Sequence, residues 1–164
     1  MNKIVRCVAW FEIWAGGFVA FISALMLFLT ESNGGDVAFD GQFVVIGIIG
    51  MVAGMALLGG SVYGWLGSVL FQLWQIPVFA MAGVLYRPGV GLFIPMGANL
   101  PSAGSASFFY EFSMGLDFTM AFVAVPQAQF AAVNVVALLL LMVLLFNWPR
   151  RAQQSAAPAR LAGA

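Results

Sequence analysis

Between Val135 and Phe146 no residue carries a polar side chain, and three further stretches are nearly as apolar. Such runs need either a core large enough to enclose them or a bilayer to receive them. The first option fails on size. Of 164 residues, 63% are hydrophobic and 7% charged, against about a quarter charged in an ordinary soluble domain. A wetted surface for a chain of this length cannot be assembled from so few polar groups. Lipid is therefore the expected solvent for most of it.

Four apolar segments mark expected spans at about residues 4–29, 43–58, 65–85 and 130–148. As a helix the first covers roughly 39 Å, enough for a hydrocarbon core of about 30 Å. Lys3 and Arg6 ahead of it resemble the basic region of a signal peptide. The segment exceeds the ~7–15 residues of a signal h-region, is interrupted by Glu12 and has no clear A-x-A cleavage site, so a retained helix is expected. The second is rich in glycine and closes in the turn cluster Gly59-Gly60-Ser61-Val62-Tyr63-Gly64. The third contains Pro77, expected to kink the helix.

The fold expected is an all-α membrane protein. Residues 1–149 form a four-transmembrane-helix bundle with a small extracytoplasmic β-hairpin or sheet between helices 3 and 4. Residues 150–164, rich in Ala, Gln, Arg and Pro, form a disordered cytoplasmic tail. An even number of spans puts Lys3, Arg6, Arg150, Arg151 and Arg160 on one side, which the positive-inside rule makes the cytoplasm. Both termini are then cytoplasmic in a multi-pass protein of the cell membrane. The compact loops and the Lys/Arg bias suit a bacterial inner membrane.

Residues 88–125 predict the outer ribbon. Phe108, Tyr110, Phe112, Met114, Leu116, Phe118, Met120 and Phe122 alternate with a mostly polar set that includes Glu111, Ser113, Asp117 and Thr119. Alternation of this kind is the signature of a strand with one apolar face. The turn formers of Asn99–Ser105 divide it from a weaker alternation at Val90, Leu92, Ile94 and Met96. A fifth membrane helix through 106–125 is the rival, at the expense of placing Glu111 and Asp117 in lipid. The apolar face needs a cover, either the chain's own helices, lipid headgroups or a membrane-protein partner joined through the ribbon.

Ionisable residues at membrane depth are the default functional candidates. Glu12 lies about 12 Å along the first span, and Gln72 and Gln75 lie roughly 10–15 Å along the third. These three form the candidate intramembrane polar site, read either as a hydrogen-bonded helix contact or as a proton or cation site. Small residues at packing spacing, Gly16, Ala20 and Ala24 on the first span and Gly47, Gly50 and Gly54 on the second, predict close helix packing. Asn134 is expected to cap or pack at the outer end of the fourth span.

The chemistry excluded is broad. The absence of histidine rules out His-ligated haem and Ser-His-Asp catalysis, and the lone Cys7 rules out an internal disulfide. Zero net charge speaks against a nucleic-acid partner. With no catalytic constellation, metal cluster or cofactor motif in view, the chain reads as a non-enzymatic accessory or assembly subunit of a membrane complex. The alternative is a small homo-oligomeric transporter or channel with an intramembrane Glu12 site, and last comes a membrane enzyme working with carboxylates alone.

Overall fold

A computed structural model of the chain describes residues 2–32, 37–100, 105–122 and 129–148. Helix α1 (Lys3–Ser32) runs antiparallel to α2 (Val37–Leu58), and glycine permits their close approach. A Cβ on Gly16 would lie 2.6 Å from the Gly47 carbonyl oxygen, and one on Gly47 would lie 2.5 Å from the Ala20 nitrogen. Gly54 meets the Ala9 carbonyl in the same way. Gly60, at φ +71°, turns the chain out of α2, and the Ser61 hydroxyl caps α3 (Val62–Gln75) by accepting from the Tyr63 N–H at 3.2 Å.

Helix α3 stops at Gln75 because Pro77 has no N–H to continue the ladder. The next residues, Pro-Val-Phe-Ala-Met, are instead the strand β1 (Pro77–Met81). Ala82 and Gly83, at φ 51° and 81°, make a two-residue reversal of the kind hairpins favour. Strand β2 (Val84–Phe93) returns beside β1 and passes through Ile94 into β3 (Pro95–Asn99). Strands β4 (Ser107–Tyr110) and β5 (Ser113–Phe122) retrace β3 and β2. Strand β6 (Phe130–Asn134) fits between β1 and β3 and leads directly into α4 (Val135–Phe146).

The six strands pair antiparallel in the order β4-β3-β6-β1-β2-β5. The two outermost strands are consecutive in the chain, joined only by Glu111 and Phe112. Two residues span at most about 11 Å, so the sheet must curl until its edges draw together at that end. The result is a half-barrel. Ile94 makes the matching corner on the other run: its N–H donates to the Asn134 Oδ1 at 3.3 Å and its carbonyl accepts from the Val135 N–H at 3.0 Å.

Two apolar cores hold these parts. At one end all four helices meet through residues such as Val8, Leu57, Trp65 and Leu144. Above it Val19 of α1 and Phe71 of α3 close on Val90 of β2. Gly91, at φ +83°, lets β2 lie directly on α1, where a Cβ would come 2.7 Å from that of Ala15.

The all-α expectation is therefore overturned, and with it the four-transmembrane-helix bundle. Residues 77–85 and 130–134, placed in the third and fourth spans, are a strand with the turn into the next and a further strand, which leaves α3 at 14 residues and α4 at 12. The outer hairpin is the larger part of a six-stranded sheet, and 106–125 does not hold a fifth helix. The reason is physical: short apolar runs bounded by Gly and Pro read alike as buried strand or buried helix. Among the described residues, one helix segment is long and apolar enough to cross a membrane, Lys3–Leu29. Of its most apolar window, 22% is buried. The tail at 150–164 and the residues of the turn at 101–104 lie outside the described residues.

Candidate functional site

Where α3 meets the sheet, most of the buried polar residues among the described ones converge; Ser23 of α1 lies apart, its hydroxyl buried without a partner. Glu12 faces α3 from α1 and is 1% exposed. The Ser68 hydroxyl donates to its Oε2 at 2.5 Å, and the Gln72 amide donates to its Oε1 at 2.8 Å. Ser68, Gln72 and Gln75 share one stripe of α3 because they are spaced four and three residues apart. Gln75, one turn further on, reaches the sheet: its Oε1 accepts from the Val90 N–H at 3.1 Å. Asn134, also 1% exposed, approaches from the β6–α4 junction. It stands at the N-cap of α4 but makes no side-chain cap bond, since its Oδ1 serves Ile94 instead.

Glu12, Gln72, Gln75 and Asn134 line one small cavity with Phe11 and Ala137 among its apolar walls. Its volume is about 10 Å³, the room of a single water molecule. The partners of the Glu12 carboxyl are a hydroxyl and an amide, both neutral. Chemically the arrangement cross-links α1 to α3, α3 to β2, and β6 to the β2–β3 corner. It offers hydrogen bonds to one small polar molecule and no room for a larger one.

The structure brings Glu12 into direct contact with Gln72, whereas Gln75 shares the cavity and bonds to the sheet. Ser68 and Asn134 belong to the cluster and were not assigned to it from sequence. The spacing of Ser68 four residues before Gln72 was the available signal. Of the packing residues, Gly16, Ala20, Gly47 and Gly54 lie on the α1–α2 seam, while Gly50 faces the Phe71 ring and Ala24 is exposed off the seam. Gly64 packs on the α2 backbone at Ala56, although its neighbours suggested a turn. Pro77 ends α3 rather than kinking a longer helix.

Outside the cluster the surface is apolar. Trp14 is 73% exposed and Phe21 68%, on the wall of an open groove of about 400 Å³ beside α1 and α2. A second groove, about 450 Å³, runs between α2 and α3 past Ile49 and Trp74. From Phe108 to Met114 the aromatic parity is uncovered: Tyr110 is 75% exposed and Met114 80%. The opposite parity is tied down, with Arg87 and Glu111 forming an ion pair at 2.5 Å and Phe109 set edge-on to Phe130. Among the described residues no group of three or more acidic or thiol side chains is placed to hold a metal ion. No family model matches the chain, and neither the curated proteins nor the solved structures provide a match.

Proposed function

We propose that this chain is a membrane-embedded, non-catalytic subunit that assembles with another membrane protein through the open side of its half-barrel. The observation that carries the reading is the uncovered apolar stripe Phe108, Tyr110, Phe112 and Met114 along the two edge strands and the short link between them. Unpaired edges with apolar side chains invite strand addition or coverage, and an open edge is not tolerated in hydrocarbon. The exposed apolar faces of α1 and α2 supply the membrane contact.

Both ends of the described fold support one orientation. The Asn2 amide donates to the Asn147 Oδ1 at 2.7 Å, and Trp65 packs on Trp148 with ring centroids 6.1 Å apart. Lys3 and Arg6 thus stand at the same end as the residues that lead to Arg150 and Arg151. The positive-inside rule assigns that end to the cytoplasm. The homo-oligomeric transporter reading, with flux through Glu12, is the weaker one, since the cavity there has the volume of one water.

The test is gentle detergent extraction of the tagged full chain from its native cells, followed by native mass spectrometry. A companion protein in fixed stoichiometry is the expected result, and its loss is expected on Tyr110→Asp with Phe112→Asp. A monomer free of companions, with unchanged behaviour in that double variant, would overturn the proposal.

A further inference from the structure

We infer that the cavity between Glu12, Gln72, Gln75 and Asn134 is a binding site for one ordered water molecule that completes the buried network. The argument is an inventory of donors and acceptors. Gln75 and Asn134 have each committed the side-chain oxygen to a backbone N–H, of Val90 and Ile94 respectively. Each therefore has its –NH2 group left to offer. Gln72 has committed its –NH2 to Glu12 and retains its carbonyl oxygen. The Glu12 carboxyl, with two bonds accepted, keeps further lone pairs.

Around one water-sized space the chain thus sets two amide donors and two oxygen acceptors. Water is the small species with the same two-and-two valence. A metal cation would face two N–H groups, and an anion would face the carboxyl, so neither matches. Buried waters typically make about three hydrogen bonds and require two to four polar partners, which this site provides from α1, α3 and the β6–α4 junction at once. Bound there, the water joins α1, α3 and the β6–α4 junction through one group. It makes the helix–sheet junction a closed hydrogen-bonded ring, independent of any partner.

Two measurements on the full chain in lipid vesicles test this. Water-edited solid-state NMR reads magnetisation transfer from water to the side-chain amides of Gln75 and Asn134. Transfer to both is expected, and its absence at both would overturn the site. The second is the thermal unfolding midpoint of Ala137→Val, which adds methyl groups at the cavity wall. Displacing a bound water strands the two amides, so a fall of several degrees is expected. A dry cavity would be filled to advantage, and a rise in the midpoint would refute the inference.

Discussion

Glu12 has a hydroxyl and an amide as partners, and that pairing decides what its replacement does. Glu12→Gln keeps an oxygen for Gln72 and a polar group for Ser68, so stability should change by less than about 1 kcal/mol. Glu12→Leu leaves Ser68 and Gln72 buried without a partner and should cost about 1–3 kcal/mol. Denaturant unfolding in detergent micelles separates the two, and equal losses would show that charge, not hydrogen bonding, is what the site needs. Tyr86 gives a pH signature. Burial raises its phenol above the ordinary value of 10.0, and its O–H donates to the Trp74 carbonyl at 2.9 Å. A group with a raised folded value stabilises fully below the unfolded pKa and loses that contribution as pH climbs through the folded one. Stability should therefore decline above about pH 10, and Tyr86→Phe should flatten that decline while removing about 1 kcal/mol at neutral pH. Thermal midpoints recorded across alkaline pH for both proteins are the check. Glu12, Gln72 and Gln75 were legible in the sequence because depth along two antiparallel-bounded spans can be computed from helical rise. Ser68 and Asn134 were not, because a hydroxyl or amide beside a glycine- or valine-rich run has many ordinary uses.

Neighbouring glycines on α1 should behave oppositely. A Cβ at Gly16 runs into the α2 backbone, whereas one at Gly17 meets only the Met51 sulfur at an ordinary 3.7 Å. Gly16→Ala should destabilise by about 1–3 kcal/mol through overpacking. Gly17→Ala should be neutral or stabilise by up to about 1 kcal/mol through helix propensity. Paired thermal unfolding curves decide it, and matching losses would show that α1 and α2 are not in contact along this seam. In the sheet, Ala82 holds φ 51° in the tight turn, a conformation that costs an L-residue about 1–2 kcal/mol. Ala82→Gly should recover about 1 kcal/mol. The helices α1 and α2 were readable because each is a long apolar run with its stop signals in place. The strands β1 and β6 were hidden inside runs that hydropathy alone continues as helix, and the turn between β1 and β2 carries Ala where Asn or Gly would have announced it. The alternation at 107–122 was readable as strand, and at its start the apolar parity, Phe108, Tyr110, Phe112 and Met114, is exposed.

For the molecule as a whole, the helices expose Trp14, Phe21 and their neighbours while Glu12, Ser68, Gln72, Gln75 and Asn134 turn inward to one joint. Such a surface should keep the chain in the membrane pellet after alkaline carbonate washing, and release into the supernatant would contradict membrane embedding. A four-span count followed from adding apolar lengths, and it failed because the end of the third span and the start of the fourth belong to the sheet. The start of α1 and the end of α4 do lie together, joined by the Asn2–Asn147 hydrogen bond.

The placement of β6 between β1 and β3 has a consequence for biosynthesis. About 50 residues separate β1 from β6, roughly 2–10 s of translation at ordinary elongation rates. Through that interval the α1–α2 hairpin is complete, but the centre of the sheet lacks its middle strand and β1 and β3 each hold out an unpaired edge. Non-local pairing of this kind is slow and leaves the nascent chain open to mispairing. The fold therefore closes late, from its C-terminal end, and truncation anywhere before Asn134 removes the strand on which the rest of the sheet depends.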